Sequence, residues 1–111
     1  MRSKLLALAV VVLSGACAPK PERVSIEGRT ITIYNDSGEA WKGVEVWVND
    51  HYRATRDTIE PGERSLIPLD RLATGFGQRF ASNQQVTGIE VTATDADGEP
   101  VRITWGNGRR R

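Results

Sequence analysis

Apolar and polar residues alternate along most of this chain, and no other feature limits its fold as much. From Val24 to Trp105, apolar side chains recur at every second position in short runs. This period of two is that of a strand that buries one face, whereas an amphipathic helix repeats its apolar residues every three to four positions. Turn residues interrupt the runs at intervals of roughly 8–12 residues, so the pattern predicts about seven short strands.

Short strands separated by turns at this spacing are typical of an antiparallel two-sheet sandwich of the immunoglobulin type. We expect residues 24–106 to form such an all-β domain. The chain has 111 residues, which is enough for one domain with a modest core. The inward positions of the alternating runs predict the core: Ile31, Ile33, Val44, Val46, Val48, Leu66, Ile89, Val91, Ile103 and Trp105.

Two loops are predicted from their turn residues. Residues 35–38 form a turn cluster, and residues 95–99 form a hairpin loop around Asp97-Gly98. The acidic residues of the second loop are similar to the start of a calcium-binding loop. However, Gly106 stands at the twelfth position, where such a loop needs a carboxylate. We therefore predict a hairpin and no metal site there.

One long segment between strands, residues 70–83, follows no clear period and contains Gly75 and Gly77. The short strand before it, residues 65–69, carries a proline and is therefore expected at a sheet edge. We expect residues 70–83 to cross one end of the sandwich as a loop, with a short helical turn at its start. Phe76 or Phe80 would then close that end.

The N-terminal segment has the features of a secretory signal peptide. Residues 1–16 begin with two positive charges and contain an apolar run of nine residues, 5–13. A membrane-spanning helix needs roughly 20 apolar residues, whereas a signal-peptide core is about this short. Small residues follow the run and lead to Cys17, the only cysteine of the chain. We therefore expect residues 1–16 to be removed.

The sequence Leu13-Ser14-Gly15-Ala16-Cys17 resembles the lipobox of bacterial lipoproteins, although its leucine lies four rather than three positions before the cysteine. The resemblance implies cleavage between Ala16 and Cys17 and acylation of Cys17, with palmitate among the chains. A plain secretory peptide cut at the same bond would leave a free thiol instead. The position of the one cysteine favours the lipoprotein.

The resemblance also bears on location, because Ala18 rather than aspartate follows Cys17. This implies the outer membrane of a bacterial envelope, facing the periplasm, with the inner membrane as the less favoured alternative. Residues 17–23 contain two prolines and charges and are expected to form a stiff tether. Residues 107–111 form a basic tail whose arginines 109–111 are expected in solvent, with contact to anionic headgroups as the alternative.

Charge and residue chemistry exclude several function classes. The full chain has a formal charge of +1, and loss of residues 1–16 makes it about −1, which argues against nucleic-acid binding. The only imidazole is that of His51, and no nucleophile motif accompanies it. We therefore expect no enzyme activity, no cofactor and no metal ion.

The body of the chain shows a second resemblance. The run Ile31-x-Ile33-x-Asn35-x-Ser37-Gly38-x-x-Trp41-x-x-Val44-x-Val46, followed by Pro61-Gly62-Glu63, is similar to FxLYD-type immunoglobulin-like domains of bacterial envelope proteins. The similarity covers residues 30–70, and the FxLYD signature itself is absent. It implies the sandwich fold and a place in the envelope, and it implies no catalytic residues.

Trp47 is the most informative aromatic residue. If its valine neighbours face the core, Trp47 faces away from it, and Tyr34 faces away on its own strand by the same alternation. A three-residue loop ending at His51 would pair Trp47 with Arg53 on the outer face. The predicted binding patch is therefore Trp47, Tyr34 and Arg53. The alternative is that the 70–83 loop or the tail covers Trp47.

These inferences lead to one functional expectation. The chain is expected to be a membrane-anchored periplasmic lipoprotein that acts as a non-catalytic interaction or structural module and binds an envelope protein. The alternative is a sandwich that binds a glycan or small ligand through the outward aromatic patch.

Overall fold

The computed structural model describes residues 22–107, which form two antiparallel sheets packed face to face. One sheet contains three strands in the order β1-β2-β5: β1 (Val24–Glu27), β2 (Thr30–Tyr34) and β5 (Arg64–Pro68). The other contains four in the order β4-β3-β6-β7: β3 (Trp41–Val48), β4 (Tyr52–Ile59), β6 (Gly88–Thr94) and β7 (Pro100–Gly106). The predicted seven-strand sandwich is confirmed.

Several predicted features lie outside the described residues. These are the signal peptide at 1–16, the cleavage site with Ala16 and Cys17, most of the tether, and the arginines at 109–111. Within residues 22–107, no helix is long and apolar enough to cross a membrane. The helical structure in this part of the chain is a single 3-10 turn, Leu69–Arg71, at the start of the aperiodic segment, where a short helical turn was expected.

The core lies between the sheets and follows the period-two pattern. Val44, Val46 and Val48 on β3 are fully buried against inward residues of the facing sheet such as Ile31 and Ile33. Each such side chain contributes roughly 1.5–3 kcal/mol by leaving water. Eight of the ten predicted core residues are buried, and Trp105 is half-buried against the core.

The prediction for Leu66 is wrong, because this side chain is 57% exposed and its neighbour Ile67 is buried instead. The pairing of β5 with β2 explains the difference. Ile67 lies opposite Ile31, which faces inward, whereas Leu66 lies opposite Thr32, which faces outward. Two adjacent apolar residues are both compatible with a period of two, so only the register of the sheet selects the inward one.

Trp41 is the largest core residue that the alternation did not identify. It is fully buried although it lies three positions before Val44 and so falls out of phase with the inward residues of β3. A β-bulge shifts the register between Lys42 and Glu45, and Gly43 within it has φ +60°. A glycine in this left-handed conformation admits an extra residue into the strand, which turns Trp41 back to the core.

Each strand crosses the sandwich once, so the connecting segments collect at its two ends. The end of the sandwich at which β1 begins is called the N-terminal pole, and the opposite end is called the C-terminal pole. The N-terminal pole consists of residues 22–23, 35–40, 60–63 and 95–99. The C-terminal pole consists of residues 28–29, 49–51, 69–87 and 107.

The two poles differ strongly in charge. The segments of the N-terminal pole contain eight acidic residues and one basic residue, Arg23. The segments of the C-terminal pole contain two acidic residues and three arginines. The acidic residues of the N-terminal pole are Glu22, Asp36, Glu39, Glu60, Glu63, Asp95, Asp97 and Glu99. The sandwich is therefore a charge dipole along its strand axis.

The register of β5 predicts opposite outcomes for two adjacent substitutions. Ile67→Ala leaves a cavity in the core and should lower the free energy of unfolding by about 3 kcal/mol. Leu66→Ala removes a side chain that lies mostly in solvent and should change it by less than about 0.5 kcal/mol. Denaturant titration of both variants measures the difference, and equal losses would contradict the observed register.

Candidate functional site

Trp47 lies in a frame of charged side chains on the outer face of the four-stranded sheet. The guanidinium carbon of Arg53 is 5.7 Å from the centroid of the Trp47 ring. The indole N–H of Trp47 donates to Glu45 Oε1 at 3.1 Å, and Arg53 Nη1 lies 3.7 Å from Glu45 Oε2. The ion pair is half exposed and contributes at most about 1 kcal/mol. Together these contacts orient the indole.

The loop between β3 and β4 sets this arrangement. Asn49 and Asp50 have positive φ angles of 52° and 67°, and the N–H of His51 donates to the carbonyl of Val48 at 3.2 Å. Asparagine and aspartate tolerate this left-handed conformation better than other non-glycine residues. The loop of three residues, 49–51, pairs Trp47 with Arg53, which confirms the predicted register.

Asn49 also fixes the loop to the strand that follows the long segment. Its side-chain oxygen accepts hydrogen bonds from the backbone N–H groups of Thr87 and Gly88 at 2.7 and 3.2 Å. Its amide nitrogen donates to the carbonyl of Gln85 at 2.8 Å. The Asn49 side chain therefore joins the β3–β4 loop to the start of β6, a role that its place in a turn did not reveal.

Tyr34 does not join Trp47 and Arg53, so the predicted three-residue patch is not formed. Tyr34 faces outward on β2, in the other sheet, where the guanidinium carbon of Arg64 lies 4.2 Å from its ring centroid. The outer faces of two stacked sheets lie on opposite sides of a sandwich. Outward orientation was predicted correctly for Tyr34, but alternation alone does not say to which sheet a strand belongs.

The aperiodic segment forms a small hairpin, residues 72–80, that pairs with the edge of β4. Ala73 bridges both Arg53 and Arg79, and the N–H of Arg53 donates to the carbonyl of Ala73 at 2.9 Å. Leu72 and Phe80 are buried in the core at the base of the hairpin. Such a cover also protects an edge strand from pairing with other chains.

Phe80 is buried at the C-terminal pole and closes that end of the sandwich. It is one of the two phenylalanines predicted to do so. Its ring packs edge to face on Tyr52, with centroids 4.9 Å apart. The guanidinium carbon of Arg29 lies 5.8 Å from the Phe80 centroid, and Arg29 Nη2 donates to the carbonyl of Ala81 at 2.8 Å. Arg29 therefore clamps the base of the hairpin to the β1–β2 turn.

The other phenylalanine, Phe76, occupies the tip of the hairpin and is fully exposed, at 101%. The tip is a tight turn in which the N–H of Gly77 donates to the carbonyl of Thr74 at 2.9 Å, and Gly77 has φ +85°. The Thr74 hydroxyl accepts from the N–H groups of Phe76 and Gln78 at 3.3 and 3.1 Å. A turn fixed by its own hydrogen bonds thus presents one large apolar side chain to solvent.

A pocket of about 430 Å³ lies between the hairpin and the sheet. Its lining residues are Trp47, His51, Arg53, Ala73, Thr74 and Gly75. Trp47 is half-buried, so the structure lies between the two predicted alternatives. The hairpin forms one wall beside the indole but does not cover it.

At the N-terminal pole, a buried asparagine organises the turn between β2 and β3. Asn35 is fully buried, and its amide donates to the carbonyls of Glu39 and Ile59 at 2.8 and 2.9 Å. Its side-chain oxygen accepts from the N–H and hydroxyl of Ser37 at 3.0 and 2.7 Å. Because a buried amide must be hydrogen-bonded, this network fixes the predicted turn at 35–38 in one conformation.

The 95–99 loop is a hairpin, as predicted. The N–H of Asp95 donates to the carbonyl of Glu99 at 2.9 Å, and Asp95 Oδ1 accepts from the N–H groups of Asp97 and Glu99. Carboxylate oxygens of Glu39, Asp95 and Asp97 lie within 4.8 Å of one another. Glu39 Oε1 also accepts from the N–H of Ala96 at 3.2 Å, which attaches this loop to the 35–40 turn.

Beside these carboxylates is a second pocket, of about 410 Å³. It lies between the 35–40 turn, the 95–99 loop and the point where the chain enters. Its lining residues are Arg23, Ser37, Gly38, Glu39, Trp41, Asp95 and Val101. The pocket therefore combines apolar side chains with an acidic rim.

On the outer sheet face, Glu90 and Arg102 form an ion pair next to the Trp47 frame. Glu90 is buried and lies opposite Trp47 in the sheet register, while Arg102 is mostly exposed. Arg102 Nε donates to Glu90 Oε2. The face around Trp47 thus consists of paired opposite charges.

Comparison with protein-family models, with curated proteins and with solved structures finds no match for this chain. Its function is therefore inferred from its own residues. Within residues 22–107 the imidazole of His51 is exposed at a loop tip. Features suited to binding include the exposed Phe76, the pocket beside Trp47 and the pocket beside Glu39.

The carboxylate cluster predicts a pH-dependent stability. Partial burial of Glu39, followed by the nearby charges of Asp97 and Asp95, raises the pKa of Glu39 above its usual value of 4.5. Between the usual and the raised pKa, the folded protein holds a proton on Glu39 that the unfolded chain has released. The free energy of unfolding therefore falls as the pH rises from the usual pKa through the raised pKa. Glu39→Gln should be close to neutral below pH 4.5 and increasingly stabilising toward pH 7.

Denaturant titrations of the variant and the natural chain across this pH range measure the effect. Glu27→Gln removes the same charge far from the cluster and is the matched control. A stability difference for Glu39→Gln that stays constant with pH would contradict the coupling.

Proposed function

We propose that this chain is a lipoprotein of the bacterial envelope, anchored to the outer membrane and facing the periplasm, that acts as a non-catalytic interaction or structural module. One observation carries the proposal. The only cysteine of the chain, Cys17, follows a signal-like segment that ends in Leu13-Ser14-Gly15-Ala16, and a short tether leads from it into the sandwich at Val24.

The attachment point supports an oriented anchor. Arg23 pairs with Asp36 at 3.2 Å, and its carbonyl accepts from the N–H of Tyr34 at 2.8 Å, so the tether is held at the N-terminal pole. Six residues beyond Cys17 reach at most roughly 22 Å when fully extended. The N-terminal pole therefore stays close to the lipid surface, and its acidic residues are repelled by anionic headgroups. The anchor itself needs more than one acyl chain for stable binding.

The surface features support an interaction role and an envelope protein as partner. Phe76 exposes an apolar ring, and it does so from a turn fixed by its own hydrogen bonds. The sandwich supplies a rigid scaffold that holds this tip away from the anchor point.

The anchor is tested by growing cells that express the chain with a labelled palmitate analogue. The natural chain should incorporate the label and fractionate with the outer membrane, because its acyl chains bury many methylene groups in lipid. Cys17→Ser should lose the label and remain uncleaved. Equal labelling of the two forms would rule out an acylated Cys17.

The second candidate function, binding of a glycan or small ligand, is favoured by the pocket beside Trp47. An aromatic wall and a cation next to it, here Arg53, are suited to sugar or anionic ligands. Soluble peptidoglycan fragments titrated into the protein should produce a saturable change in tryptophan fluorescence that Trp47→Phe abolishes. Fluorescence that does not respond to the fragments, or responds equally in the variant, would reject this function.

A further inference from the structure

We propose that copies of this chain associate head to tail, with Phe76 of one copy inserted into the acidic pocket at the N-terminal pole of the next. The pairing goes beyond the proposed anchor and does not require it. Three features of the described residues support it: a protruding apolar side chain, a pocket of suitable size and chemistry, and opposite charges at the two poles.

The protruding side chain is placed to reach another molecule. Ala73 pairs antiparallel with Arg53, near the start of β4, so residues 74–77 continue past Tyr52, the first residue of that strand, at the C-terminal pole. The turn that holds Phe76 is fixed by a hydrogen bond from the N–H of Thr74 to the carbonyl of Gln78 at 2.9 Å. Insertion of Phe76 therefore needs no change in this turn and removes a phenyl ring from water.

The receiving pocket is the one of about 410 Å³ at the opposite pole. It offers the half-buried Val101 as an apolar contact, with the buried Trp41 behind it, and Gly38 at its wall has nothing within 4 Å of where a Cβ would stand. The space is ample for one phenyl ring. Its charged lining residues are Glu39, Asp95 and Arg23, and Arg23 already pairs with Asp36 outside the lining. The two carboxylates therefore favour an incoming apolar side chain that is flanked by cations.

Such cations accompany Phe76. Arg71 and Arg79 are exposed on the same segment of the C-terminal pole. In a head-to-tail contact they approach Glu39 and Asp95, whose mutual repulsion an arginine would reduce. Contacts between two N-terminal poles would instead bring eight acidic residues of each copy together. Charge therefore favours the head-to-tail arrangement over a contact between two N-terminal poles.

A contact that uses different surfaces of the two partners does not close on itself, so it produces rows rather than dimers. One phenylalanine and a few ion pairs give a weak contact in dilute solution. Confinement of all copies to one membrane raises their effective concentration and so favours the rows. Because each tether is short, every sandwich in such a row lies with its strand axis along the membrane.

Cysteine cross-linking in cells that express the full chain tests the arrangement. Gly38→Cys and Gly75→Cys place thiols beside the pocket and beside Phe76, at two glycines with open surroundings and no positive φ. A short bifunctional thiol reagent should convert the double variant into a ladder of dimers, trimers and larger multimers. Either single variant should give dimers at most, and cells that express both single variants should give the mixed dimer.

Phe76→Ser in the double variant should remove at least nine-tenths of the multimers, because the inserted ring is lost. Leu66→Ser, which removes the other large exposed apolar side chain, should leave the ladder unchanged. Replacing Arg71 and Arg79 together by glutamate should also remove it. Both phenylalanine and arginine positions are at the surface, so these variants retain the fold.

Three results would overturn the proposal: a ladder that survives Phe76→Ser, no product beyond that of the single variants, or products that contain a different polypeptide in place of a second copy. The natural chain, with Cys17 as its only cysteine, is treated in parallel. Cross-linking of that chain would show a free thiol and contradict the proposed lipid anchor, without bearing on head-to-tail pairing.

Discussion

An odd number of antiparallel crossings is the constraint on which the rest of the structure depends. Seven strands each cross the sandwich once, so the chain enters at one pole and leaves at the other. Every connecting segment must then lie at one pole or the other. The acidic turns fall at the pole where the chain enters, and the long segment with Phe76 falls at the opposite pole. The alternation of connecting segments between the two poles therefore places the acidic turns and the exposed ring at opposite ends.

The same constraint relates the proposed anchor to the proposed interaction surfaces. Under the proposed anchoring, a short tether at the N-terminal pole would keep the acidic turns near the lipid, while the hairpin 72–80 extends from the other end. This hairpin serves two physical purposes. Its base, with Leu72 and Phe80, completes the core and covers part of the β4 edge. The tip of the hairpin contributes nothing to the core or to the edge of β4. It therefore tolerates the exposed Phe76, which only an intermolecular contact would bury.

The sequence predicts the strands well because alternation reports directly which face of a strand is buried. It also predicts the Trp47–Arg53 pairing, since loop length sets hairpin register. The alternation does not predict the buried residue where strand pairing determines it. Leu66 and Ile67 both fit a period of two, and the register with β2 buries Ile67. Tyr34 and Trp47 lie in different sheets, and the local sequence pattern does not show to which sheet a strand belongs. The 72–80 hairpin was missed because its residues pair with β4, far from them in sequence.

The assignment of connecting segments to the two poles is tested most directly by the distance between two spin labels. The labels are attached to Gly38→Cys at the N-terminal pole and Gly75→Cys at the C-terminal pole. The labelled full chain is diluted with unlabelled chain, so that only pairs within one molecule contribute. Eight residues of β3 at about 3.3 Å each, with the turns beyond them, predict a narrow distribution near 30 Å. A distance under about 15 Å is shorter than about five residues of extended strand. Such a distance would place both labels at the same pole and contradict the assignment.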